Sequence, residues 1–181
     1  MTINYKLNEN DFLTYQLFIA SQSKRIQKKR KRSKVLIPMV YSAIALLFYF
    51  QNSYSMSIFF LIISVLWFFV YPLWEKQHYL KHYQGFIQEN YKDRCGRTVT
   101  LELTNDFILA QDNGSESKVL TTELQEICEI PTAIYIKLNG GQAFILPKNE
   151  LTNLNDLKTL LNELATHLNI GYVTNHKWKW S

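Results

Sequence analysis

Cysteine and glycine are both scarce in this chain of 181 residues, which holds two of the first and six of the second. Cys95 and Cys128 form no Cys-x-x-Cys pair, which excludes a zinc ribbon or a dithiol redox motif. They read as reduced thiols, Cys95 in a turn and Cys128 as a small strand residue. No glycines have the spacing of a P-loop or a dinucleotide fingerprint, so the usual phosphate cradles are missing. Charge is absent where it matters most. Residues 56–74 carry no charged side chain, and the preceding turn, Gln51-Asn52-Ser53-Tyr54-Ser55, has no basic one. Acids are missing from residues 24–34.

The charge-free run of 19 residues, at about 1.5 Å per residue, matches a hydrocarbon core of about 30 Å. Residues 35–50 form a shorter apolar segment, with Lys34 and Gln51 at its ends and Pro38 expected in its first turn. Tyr41, Tyr49, Tyr54, Tyr71 and Trp74 fall mostly toward segment ends, where interfacial aromatics collect. The pair predicts a transmembrane helical hairpin; a buried soluble pair or a re-entrant hairpin are the alternatives. Lys24, Arg25, Lys28, Lys29, Arg30, Lys31, Arg32 and Lys34 precede it, and Lys76 and Lys81 follow. That bias predicts both flanks, and both termini, in the cytoplasm. The polar, mixed residues 1–13 do not read as a cleavable signal peptide.

The cluster carries +8 of a net charge of +5, leaving −3 for the rest of the chain. The basic character is therefore juxtamembrane and not spread over a folded face, which argues against nucleic acid as a partner. The eight cations are the expected membrane-surface contact. Setting topology is one role for them, and binding anionic lipid headgroups is another.

Along the chain, residues 3–7 alternate with period two and predict a short strand. Asn8, with Asp11 three residues on, predicts the start of a helix over residues 9–21. Helical spacing resumes after Trp74 to about Tyr91, and Asp93-Arg94-Cys95-Gly96 reads as a boundary. Residues 97–146 then read as short strands in an antiparallel meander. Turns fall at Asn105-Asp106, Asp112-Asn113-Gly114 and Asn139-Gly140-Gly141. Ile134, Ile136 and Leu138 are expected on one face of the clearest strand. Leu154, Leu157, Leu160, Leu161, Leu164 and Leu168 predict an amphipathic helix, capped by Asn153 and ended by Gly171, that covers the sheet. The organisation expected is 1–34, a strand, a helix and the polybasic run; 35–74, the hairpin; 75–96, a helical extension; 97–171, the strand domain; and 172–181, a basic aromatic tail suited to headgroups. The strand near residue 5 is expected to add to an edge of the later sheet, since both lie on one side of the membrane.

Several strands closed by one C-terminal amphipathic helix resemble a pleckstrin-homology-like (PH-like) domain. Tyr5-Lys6-Leu7 and Asp11-Phe12-Leu13 precede the basic run and hairpin. Glu123-Leu124-Gln125-Glu126-Ile127, Tyr135-Ile136 and Ile145-Leu146-Pro147-Lys148 follow. This arrangement resembles the YcxB-like family of bacterial membrane proteins, with Pro147-Lys148 its most telling feature. The chain departs from the family where Thr121 or Thr122 replaces an aromatic residue. The resemblance implies an α+β membrane protein of the bacterial inner membrane, with a cytoplasmic antiparallel PH-like domain. It implies no catalytic or binding residue.

His78 and His82 lie four apart on a predicted helix near Glu75, a spacing that can hold a metal but also ordinary interfacial decoration. No second ligand cluster accompanies them, so no metal, cofactor or catalytic site is expected. The reading that follows is a non-enzymatic membrane protein whose domain binds a protein or peptide, or self-associates. Headgroup binding by the polybasic run and the domain is the alternative, and an enzyme acting near the membrane is a third. An open edge, a basic pocket and a polar pocket with a perturbed titrating group would respectively favour them.

Overall fold

The computed structural model describes residues 1–180, which divide into two compact units. One comprises residues 1–15 with 86–179, and the other residues 16–85 with Trp180.

The first unit is built on strands. The alternation around Tyr5 gives β1 (Thr2–Lys6), whose Ile3 and Tyr5 turn inward. β1 pairs antiparallel with β2 (Thr98–Leu103), Ile3 opposite Leu101 and Tyr5 opposite Val99. Tight turns then bring back β3 (Phe107–Asp112) and β4 (Ser115–Leu120), completing a sheet in the order β1-β2-β3-β4. The expected edge addition of the N-terminal strand is thus present. A 3-10 turn over Thr121–Glu123 leads into β5 (Leu124–Glu129), then β6 (Ala133–Leu138) and β7 (Ala143–Pro147).

Helix α4 (Leu154–His167) buries Leu157, Leu161, Leu164 and Ala165, while Leu154, Leu160 and Leu168 lie partly buried beside them. These residues share one core with Leu101, Ile108, Ile127, Ile136 and Leu146 from both sheets. Two local expectations change. Asn169, at φ 54, ends α4, because its short polar side chain tolerates the left-handed conformation. Gly171 instead opens β8 (Gly171–Thr174), which pairs parallel with β5 and extends the second sheet to β7-β6-β5-β8. Residues 172–174, expected in a tail, are therefore strand. β6 is also buried on both faces, Tyr135 and Ala133 as well as Ile134 and Ile136, since Tyr15 of helix α1 (Glu9–Gln22) packs edge-on against Tyr135 at 5.1 Å. Helix α1 starts as predicted: Asn8 and Asp11 exchange side-chain and backbone hydrogen bonds at 2.9 and 3.0 Å.

The second unit is a helical hairpin of α2 (Lys24–Phe50) and most of α3 (Tyr54–Asn90). The turn between them is shorter than expected, with Asn52 at φ 59. The basic run and the first apolar segment form one continuous helix, so Pro38 lies in its interior and not in a first turn. Its carbonyl accepts the Ser64 hydroxyl at 3.0 Å, and Ser64 also meets Ser42 at 3.0 Å, joining the helices in an otherwise apolar stretch. Phe48 stacks on Phe60 at 5.5 Å. Both helices are long and apolar enough to cross a membrane, and only 11% of each apolar window is buried. Met39, Leu47, Phe69 and Leu73 are more than half exposed, which a helical pair in a soluble core would not allow.

Candidate functional site

The eight predicted surface cations occupy the first turns of α2, where Ser23 caps the helix by accepting from the Ile26 N–H. Lys24, Arg25, Lys28, Lys29, Lys31, Arg32 and Lys34 are exposed. Arg30 is different. It donates from Nε to Glu75 at 3.0 Å, and its guanidinium lies 4.8 Å from the centre of the Trp180 ring. The other Glu75 oxygen accepts the Tyr71 hydroxyl at 2.9 Å. Glu75 is 5% exposed, so this pair fastens α2 to α3 at the end of the apolar stretch. One charge of the run therefore works inside the hairpin and seven face outward.

A second polar cluster escaped sequence reasoning. Glu129 ends β5 and is 3% exposed. Lys148, just after β7, and Lys158, on α4, donate to one of its oxygens at 2.7 and 2.6 Å. Tyr172 of β8 donates to the other at 2.8 Å. Lys148 also donates to the Ile130 carbonyl at 2.6 Å. Burial by itself pushes the Glu129 carboxyl up, but the hydrogen bonds from Lys148, Lys158 and Tyr172 outweigh it and hold it down at about 2. Burial first, then the bond to Glu129, raises the Tyr172 phenol. Oε1 accepts two ammonium groups and Oε2 the phenol, so this cluster binds four chain segments together. The signal available in the sequence was a lone acid inside the apolar run Ile127-Cys128-Glu129-Ile130, together with Pro147-Lys148.

Both cysteines are free. Burial pushes the Cys128 thiol up to about 11, and burial followed by Glu9 and Asp11 raises Cys95. Thiols so raised remain protonated near neutral pH and are poor nucleophiles. His78 stacks on Trp74 and His82 meets Tyr83 edge-on, each at 5.2 Å. Among the described residues no three His, Cys, Asp or Glu side chains gather in a way that could hold a metal ion. The outer face of α4 carries Thr159, Asn162, Glu163, Thr166 and His167 around a shallow depression.

The remaining candidate is backbone. β4 lies at the edge of its sheet, pairing only with β3. Five of its six residues are exposed, Leu120 to 57%, and only Val119 reaches the core. The other sheet ends on β7, which finishes in Pro147, and on the four-residue β8. β4 has neither proline nor glycine to blunt it.

These features define a class: a helical hairpin suited to a membrane, joined to a two-sheet α+β unit whose first sheet has β1 and β4 as its edges, β4 the more exposed of the two. No protein-family model and no curated protein matches the chain.

Proposed function

We propose that the chain is a non-enzymatic protein of the bacterial inner membrane, anchored by its hairpin with both termini in the cytoplasm. Its sheet unit is a YcxB-like, PH-like domain that takes a protein or peptide partner, or a second copy of itself, along the β4 edge. The observation that carries this is the exposed six-residue edge strand, whose outward backbone groups are a ready template for another strand. The Lys/Arg bias around the hairpin supports the orientation. The order of four strands, then three, then a covering helix supports the domain type, with β8 as an addition.

A photoreactive residue at Leu120, activated in intact cells, tests this. Recurrent crosslinks to a single protein are expected, and Lys118→Pro, which blocks edge pairing, should abolish them. Scattered crosslinks insensitive to that proline would sink the reading.

The seven exposed cations favour a second reading, in which the start of α2 gathers anionic headgroups. In proteoliposomes, anionic lipid should then be enriched around the protein at low salt and lose that enrichment when the seven are replaced by glutamine.

A further inference from the structure

The backbone phase of β4 decides what can pair with it. Thr104 N–H donates to the Phe107 carbonyl at 3.0 Å, closing the turn between β2 and β3. Backbone groups alternate sides along a strand, so Phe107, Leu109 and Gln111 face β2 while Ile108, Ala110 and Asp112 face β4. The partners of these last three are Val119, Ser117 and Ser115. The amide and carbonyl groups of Glu116, Lys118 and Leu120 therefore point away from the sheet.

An antiparallel second copy of β4 must match this phase. Three central registers do so, with the two-fold axis passing through Glu116, Ser117 or Lys118. The first sets two glutamates opposite each other and the third sets two lysines, and like charges directly opposite are unfavourable. The register centred on Ser117 sets Glu116 of each copy opposite Lys118 of the other, twice by symmetry. Both side chains already lie against their own sheet: Gln111 donates to Glu116 at 2.9 Å, and Lys118 sits 4.1 Å from the centre of the Phe107 ring. Charges that guard an edge against foreign strands are here complementary to themselves.

We infer that the partner of the β4 edge is a second copy of this chain, bound as an antiparallel strand in the register Ser117 to Ser117 with two Glu116–Lys118 pairs. This rests on the edge reading above and names its occupant. The two strands form one continuous eight-stranded sheet across the two-fold axis, since each copy contributes its sheet of four.

Cysteine crosslinking of the full chain in membranes tests the register, with Cys95→Ser as background. Ser117 forms a non-hydrogen-bonded pair with itself, with Cα atoms about 4.5 Å apart, within disulfide reach. Ser115 lies opposite Val119 of the other copy, so the two Ser115 residues are separated by about 14 Å along the strand. Mild oxidation should therefore link Ser117→Cys rapidly and leave Ser115→Cys monomeric. Lys118→Glu should lower crosslinking at Ser117→Cys by about tenfold, and adding Glu116→Lys should restore it. Equal linking at both positions, or none at Ser117→Cys in protein that keeps wild-type protease resistance, overturns the inference. In the second case, proline-sensitive crosslinks from Leu120 to one other protein would leave the edge reading standing, and their loss would remove both.

Discussion

Glu129 accepts from two ammonium groups and a phenol while almost out of contact with water. Its folded pKa lies below its unfolded one, so the stability it contributes is fully present above about pH 4.5 and drains away as pH falls toward 2. The size of the shift corresponds to roughly 3 kcal/mol. Hydrogen exchange of the β5 amides should show this loss of protection in the wild type. Glu129→Gln should be less protected at neutral pH by a comparable amount and flat through the acid range. Lys148→Ala should cost more than Lys158→Ala, because its side chain is 13% exposed against 31%. None of this geometry could be read in advance, since the partners lie 19 to 43 residues from Glu129. Arg30 illustrates the same blindness. Eight neighbouring cations look alike in sequence, and only the approach of α3 singles out the one that meets Glu75.

Elements whose burial follows a local period were legible. The leucine spacing of α4 marked its buried stripe, and Asn8 with Asp11 marked the start of α1. Leu161 is fully buried in that stripe, so Leu161→Ala should cost about 2–5 kcal/mol, against less for half-buried Leu160→Ala. Leu161→Asp should prevent the sheet unit from folding; denaturant titration followed by protease sensitivity distinguishes the three. Elements decided by distant packing were misread. β6 was expected to bury one face, but α1 covers the other. β8 has four residues and opens with glycine, and it exists because β5 offers an edge, not because its own pattern demands a strand.

For the whole molecule, the decisive pairing is β1 with β2, which was foreseeable because residues 3–7 alternate with period two and a helical hairpin turns the chain back on itself. Five residue pairs join these strands, and Tyr5 enters the core. Deleting residues 1–6 should expose β2 as a new edge and open the sheet unit to trypsin at Arg97, with loss of protection across residues 98–103. Unchanged digestion kinetics in the shortened protein would show that β1 is dispensable. The two-sheet architecture was only partly visible, because the break between β4 and β5 depends on the short turn at Thr121–Glu123 and not on any loss of strand pattern.

The pairing of β1 with β2 also imposes a timetable. A ribosome releases Thr2–Lys6 early, yet the strand that accepts it is made some 90 residues later. At about 5–20 residues per second, β1 waits roughly 5–20 seconds while the helical hairpin between the two strands is synthesised. Closure of the sheet therefore reports that the whole hairpin has been made. A nascent chain that stops inside the hairpin is left with β1 unmatched, its backbone groups open to pairing with other strands.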